Sequence, residues 1–223
     1  ITNAVQEAFP AHGFLAEEED SQLPTAGDCL WVIDPVDGTS NYSRQMSNFC
    51  VSIGVVAPED ESWRPVVGVI YDPMNQELFS AVHGRGAWLG NEAERQSVQL
   101  QVTPTATLNE AICCLDWSHA PEKRERTLQI ANPLAHSIRT MRCFGSAALA
   151  LAWIAAGRLD SYFNLNLHPW DVAAGALLVA EAGGRITNTS GTPWQFTTKE
   201  TLASNGKLHE QLLEITTRFP APG

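Results

Sequence analysis

Between Phe49 and Val82 the chain carries three short apolar runs that each read with a period of two. Phe49 to Val56 places Val51, Ile53 and Val55 on one side. Val66 to Tyr71 and Glu77 to Val82 follow, with Asp72-Pro73-Met74-Asn75 as the turn between them. Successive side chains alternate across a strand, and a turn that short joins only antiparallel neighbours. The spacing predicts an antiparallel meander.

Elsewhere the period changes. Ile1, Ala4, Val5 and Ala8 have helical spacing, and Phe9-Pro10-Ala11-His12-Gly13 ends that helix. Beyond Thr103, Ala111 to Leu115 and Ser137 to Phe144 read as strands around a helix near Pro121 to Ala131. Gly145 to Ala156 reads as helix, Arg158 to Leu165 as strand and Trp170 to Ala182 as helix. Arg185 to Thr189 is then a strand and Leu208 to Arg218 a closing helix. Strands alternating with helices predict an α/β lobe. The Pro-Thr-rich Thr103 to Thr107 is the best boundary, giving an α+β lobe over 1–106 and an α/β lobe over 107–223.

At 223 residues and 44% hydrophobic, the chain has enough apolar surface for a substantial core. Its densest apolar stretch, Ala147 to Ala156, is too short for a membrane span and lies between Gly145 and Gly157. A net charge of -11 and the lack of a basic stripe argue against a nucleic-acid polymer as ligand. Five scattered cysteines form no CxxC pair, which fits reduced thiols in a cytoplasmic protein better than a disulfide frame. The residues from Ile1 onward show no secretory-signal pattern. Because Ile1 falls inside a helical pattern and is not methionine, a preceding segment is expected.

The segment Trp31 to Tyr42, WVIDPVDGTSNY, runs an apolar strand into two aspartates three apart. Pro35 biases Asp34 to an extended conformation. Asp34, Asp37 and the Val36 carbonyl between them offer three oxygens to a hard cation. Gly38 and Thr39 open a helix, where N–H groups favour an anion. An Asx turn with solvated acids accounts equally well for the string alone. An EF-hand loop fits poorly, since Gln45 stands where the bidentate Glu belongs. Glu17-Glu18-Glu19-Asp20, after Phe14-Leu15-Ala16, reads by itself as a solvated acidic face. In HPWDVAAGALLVAEAGG, His168 to Gly184, Asp171 opens an apolar helix, as a plain N-cap or as an acid aimed into a site. His12, His83, His119, His136, His168 and His209 show no zinc spacing, and His168 reads as packed or solvated.

FLAEEED, WVIDPVDGTSNY and HPWDVAAGALLVAEAGG together resemble the three signature segments of the inositol monophosphatase family, within the lithium-sensitive, Mg2+-dependent phosphatases that include fructose-1,6-bisphosphatases. The resemblance covers most of the chain. It implies a layered αβαβα sandwich, with an antiparallel N-terminal sheet lobe and a smaller mixed α/β lobe. It also implies a homodimer and two Mg2+ ions, with a third, weaker site. Glu17, Asp34, Asp37 and Asp171 would be the metal carboxylates, Asp34 bridging, and the Val36 carbonyl would complete a site. The competing alignment makes Glu18 the ligand. Thr39 and Glu17 would orient the attacking water with an upstream aspartate, whose position would precede Ile1. Gly38, Thr39, Gly145, Ser146, Ala147, Asn164 and Asp171 would meet the substrate. Ser146 also reads as a plain N-cap, and Glu181 and Arg185 as structural.

Asn164 stands where inositol-phosphate enzymes commonly carry a glutamate, and an amide both donates and accepts, which leaves room for a substrate other than myo-inositol phosphate. The activity implied is hydrolysis of a small phosphomonoester such as an inositol, sugar or polyol phosphate. Histidinol phosphate and fructose 1,6-bisphosphate are alternatives, and adenosine 3′,5′-bisphosphate is the least attractive for so few basic residues. A catalytically degenerate, metal-dependent binding protein is the reading of another class.

Overall fold

The protein was analysed as a computed structural model that describes residues 1–22, 28–60, 62–91, 96–118 and 120–221; His119 lies outside them. In chain order the first half contains α1 (Thr2–Ala8), β1 (Gly13–Ala16), β2 (Glu19–Gln22), β3 (Leu30–Asp37), α2 (Thr39–Ser43), β4 (Cys50–Glu59), β5 (Ser62–Asp72), β6 (Glu77–Val82), β7 (Ala87–Asn91) and β8 (Gln96–Gln99). The second half contains β9 (Ile112–Leu115), α3 (Pro121–Ser137), β10 (Thr140–Arg142), α4 (Ala147–Ala155), β11 (Ser161–Asn164), α5 (Pro169–Glu181), β12 (Arg185–Thr187), β13 (Thr201–Ser204) and α6 (His209–Thr216).

Among the described residues these strands form two mixed sheets. The larger runs β2-β1-β3-β4-β5-β6-β7-β8 and the smaller β10-β9-β11-β13-β12. The meander from β3 to β8 is antiparallel, while β1 lies parallel to β3. In the smaller sheet β9, β10 and β11 are parallel, and β13 runs antiparallel to both of its neighbours.

Helices α4 and α5 are sandwiched between the sheets, which is why both are apolar nearly all round. Ala148, Leu149, Ala174 and Leu178 pack on Ile70 and Phe79 of the larger sheet. Ala150, Leu151, Val172 and Val179 pack on Cys114, Tyr162 and Ala203 of the smaller one. Helices α3 and α6 cover the far side of the smaller sheet through Ile130, Leu134 and Leu212. On the opposite face of the larger sheet, Ile1 and Thr2 at the start of α1 border a small cleft with Ala16, Ile33 and Pro35. The α5–sheet approach depends on glycine: a Cβ on Gly68 would lie 2.6 Å from the Ala174 carbonyl oxygen.

Several boundaries differ from the sequence reading. Helix α3 runs on to Ser137 through Pro133, because Ile130 and Leu134 on either side of the proline are both buried. Little strand is left in Ser137 to Phe144, and only Thr140–Arg142 pairs with β9. Strands β7 and β8 extend the meander. Strand β13, Thr-Leu-Ala-Ser, has no alternation to detect because all four residues are buried. No helix among the described residues is long and apolar enough to cross a membrane.

Candidate metal centre

Strand β3 continues past Ile33 to Asp37, with a break in register. Asp34 pairs with Ser52 and Asp37 with Cys50, so three steps on β3 match two on β4. Residues three apart on a regular strand face opposite ways, and one extra residue restores the phase. The bulge falls at Pro35 and Val36, where the proline has no N–H to offer the ladder. Asp34 and Asp37 therefore both point toward the α4–α5 layer. There Asp171, in the first turn of α5, joins them, and one carboxylate oxygen from each of the three lies within 4.8 Å of the others.

The surrounding contacts fix each acid. Asp34 Oδ1 accepts the Val36 N–H at 2.9 Å. Asp37 Oδ2 accepts the Ser146 hydroxyl at 2.6 Å and the Ala148 N–H at 2.7 Å, placing its charge at the N-terminus of α4. Asp171 is the third residue of its helix rather than its N-cap, and its Oδ2 accepts the His168 N–H at 2.7 Å. His168 stacks on Trp170, with ring centroids 4.7 Å apart. The Ser52 hydroxyl donates to the Trp170 carbonyl at 3.2 Å, tying the start of α5 to β4.

Among the described residues no lysine or arginine forms an ion pair with any of the three acids. Burial, then the charges of Asp37, Glu17 and Asp171, push the Asp34 carboxyl up to about 9. Burial raises Asp171 to about 7, opposed by the His168 N–H and assisted by Asp37 and Glu17. Burial raises Asp37 to about 6 against the pull of Ser146 and Ala148, with Asp116 adding to the rise. Crowded, desolvated carboxylates without a cationic partner fit a hard divalent cation, and an all-oxygen donor set suits Mg2+ rather than Zn2+.

Glu17 follows β1, and its N–H donates to the Ile33 carbonyl at 3.2 Å. It stands outside the three-acid cluster, although its charge acts on Asp34 and Asp171. Glu18 borders the cleft beneath α1, on the other face of the sheet. The Thr39 hydroxyl donates to the Val36 carbonyl at 3.0 Å, joining two of the expected site groups. Gly38 has φ +94, and a Cβ there would meet the Asn48 carbonyl oxygen at 2.8 Å. Asn164 is buried at the end of β11. Its Oδ1 accepts the Asn166 N–H at 2.9 Å and its Nδ2 donates to the Tyr162 hydroxyl at 3.3 Å. Ser146 is the N-cap of α4, and the Gly145 N–H donates to Asp116 at 2.7 Å. Ala147 begins the helix beside Asp37.

Two contributors carry no signal of this role in the sequence. Asn41 sits within the Trp31–Tyr42 string but reads there as an ordinary helix residue. Its Nδ2 donates at 2.6 Å to both the Asn48 and the Phe144 carbonyls. Asp116 belongs to none of the motifs. A cavity of about 780 Å3 bordered by Trp63, Arg64 and Trp194 lies at the β4–β5 hairpin, and Asp34, Asp37 and Asp171 are not among its lining residues.

An oxygen-only acid cluster set between two sheets, with one acid in the first turn of a helix, is a donor set suited to a hard cation. The sequence profile of the inositol monophosphatase family matches residues 1–220. Inositol-1-monophosphatase of Bacillus subtilis is 37% identical over 212 residues, covering 94% of this chain and 76% of that protein. The Nus factor SuhB of Salmonella typhimurium is 35% identical over 214 residues, covering 96% and 76%. The solved inositol monophosphatase of Anabaena superposes with a TM-score of 0.86 at 36% identity, over 98% of this chain and 83% of that one. The suhB protein of Bartonella henselae superposes with a TM-score of 0.89 at 33% identity, over 98% and 80%. The chain belongs to the inositol monophosphatase family, a metal-dependent family, and is a phosphatase, a phosphoric monoester hydrolase.

Proposed function

We propose that this phosphatase hydrolyses a small phosphomonoester in a Mg2+-dependent reaction, with Asp34, Asp37 and Asp171 holding the cation. The observation that carries the reading is the convergence of their carboxylate oxygens within 4.8 Å. The family resemblance adds two ions and a third, weaker site, with Glu17 and the Val36 carbonyl as further ligands. Bound Mg2+ supplies charge against the phosphoryl oxygens and acidifies water, the two things monoester hydrolysis most needs.

The protein's own groups have distinct tasks in this reading. Asp34 would serve both ions, with Glu17 on the first and Asp37 and Asp171 on the second. Glu17 and Thr39 orient the attacking water. The hydroxyl of Thr39 already lies on the metal-loop carbonyl of Val36. Gly38 and Thr39 meet the phosphate, and Gly145, Ser146, Ala147 and Asn164 border the rest of the substrate. The small-residue start of α4 supports close approach, and the Asn164 amide is held in place by Tyr162 and Asn166.

The reading also takes a homodimer and a cytoplasmic location, supported by the family and the unpaired cysteine pattern. The division into 1–106 and 107–223 is part of the same reading. It is supported by the confinement of each sheet's strands to one side of that boundary. The test is phosphate release from a panel of inositol, polyol, histidinol and sugar phosphates, with adenosine 3′,5′-bisphosphate, titrated with Mg2+. Release from one or more of them that saturates with Mg2+ is expected. Mg2+-independent release from every active member, or no release from any of them, would contradict the reading.

A further inference from the structure

Asp116 lies just past the end of β9 in the smaller sheet, buried at 7% exposure. Its Oδ1 accepts the Gly145 N–H at 2.7 Å, and the Cys143 thiol donates to the same oxygen at 3.2 Å. The Phe144 carbonyl and the Gly145 N–H belong to one peptide unit. That carbonyl accepts the Asn41 amide at 2.6 Å. The peptide is therefore clamped at both ends, by Asn41 from the side of the larger sheet and by Asp116 from the smaller one.

The clamped peptide immediately precedes the groups that hold Asp37. Gly145 takes φ +73 there, and a Cβ on it would meet the Asn41 side chain at 3.0 Å. The next residue gives the Ser146 hydroxyl and the start of α4 gives the Ala148 N–H, both to Asp37 Oδ2. The Cys50 thiol donates to the same oxygen at 3.8 Å. With that oxygen surrounded by donors, the other is left for the acid cluster. A peptide plane fixed at both ends cannot rotate without moving these donors.

Burial alone does not explain an acid at this place. The carboxyl is raised by desolvation, and its second oxygen is shut off from solvent, with the Tyr162 hydroxyl acting on the carboxyl as a donor. Burying a carboxyl carries a desolvation cost that an apolar residue at the same place would not. What an apolar residue would lose is the grip on Gly145.

We propose that Asp116 is a positioning residue for the cation site, acting through Gly145 and the start of α4 to fix the orientation of Asp37. The inference rests on the cation-binding reading above, and calorimetric titration of the metal-free protein with Mg2+ separates the two. Asp116→Ala is expected to weaken Mg2+ binding by roughly 10-fold, the lower end of the range for groups behind a metal ligand. Asp116→Asn keeps an acceptor for the Gly145 N–H and is expected to restore near-native affinity. A folded Asp116→Ala protein, checked by circular dichroism, that binds Mg2+ as tightly as the native chain overturns the inference and leaves the function intact. A native chain that binds no Mg2+ overturns both. Should Asp116→Ala not fold, Asn41→Ala releases the other end of the same peptide. It must then weaken Mg2+ binding to a similar degree, and unchanged binding overturns the inference.

Discussion

Asp34 and Asp37 are three residues apart on one strand, yet their carboxylates share one cluster with Asp171 because a bulge at Pro35 and Val36 returns the second acid to the face of the first. Without the extra residue one of the two would face α1 and the other α5. The bulge brings two of the three acids together, and the glycine-lined approach of α5 supplies the third.

The three acids make metal-free stability depend on pH with a definite sign. Folding raises Asp37 to about 6, Asp171 to about 7 and Asp34 to about 9, from an ordinary 3.8. Between those limits the folded chain holds protons that the unfolded chain has lost. The contribution to stability is fully present below about pH 4 and is lost as pH rises through the folded values. Mg2+ binds the ionised acids, so the rise in melting temperature it causes should be larger near pH 8 than near pH 5.5. Thermal melts at both values check this, and an equal or larger rise near pH 5.5 would count against the cluster as the binding site.

Ser146→Ala removes both a helix N-cap and one of the short donors to Asp37. The expected loss of stability is about 1–3 kcal/mol, combining a cap with a hydrogen bond to a charged group. Mg2+ affinity should also fall by roughly 10-fold, as for other groups that support a metal ligand. Urea unfolding and calorimetry measure the two effects separately. A fall in stability with unchanged Mg2+ affinity would mean that Ser146 serves only the helix.

Gly68→Ala tests whether the tight seating of α5 matters to the site. Its Cβ would lie 2.6 Å from the backbone oxygen of Ala174, so the helix must shift. Overpacking of this kind costs about 1–3 kcal/mol. Because Asp171 rides on α5, phosphate release should fall along with melting temperature. Gly54→Ala, whose first contact is the Ala173 side chain at 3.0 Å, should do less on both counts. Equal damage from the two variants would go against the argument.

Much of this was readable in the chain. Asp34, Asp37 and Asp171 fall in local strings, and the meander and the α4 and α5 helices follow from periodicity and apolar content. What was not readable depends on pairing across the fold. The bulge is a mismatch between β3 and β4, visible only once both strands are in place. Strand β13 is buried on both faces and shows no alternation. Helix α3 passes Pro133 because of what Leu134 packs against, which local propensity does not contain. Glu17 and Glu18 are adjacent acids, and only the sheet shows that Glu18 borders the α1 side while the charge of Glu17 reaches Asp34. Asp116 is an isolated acid after a short strand, and its partner Gly145 is 29 residues away.

The central claim is that a cation held by Asp34, Asp37 and Asp171 is required for phosphoester hydrolysis. The most direct measurement is phosphate release from the best phosphomonoester by the native chain and by Asp34→Asn, each with saturating Mg2+ and with EDTA. Release by the native chain should require Mg2+ and vanish in EDTA. In Asp34→Asn with Mg2+ it should fall by about 100-fold or more, at least the upper end of what loss of a ligand's supporting groups causes. Native-level release in EDTA, or full activity in Asp34→Asn, would contradict the account.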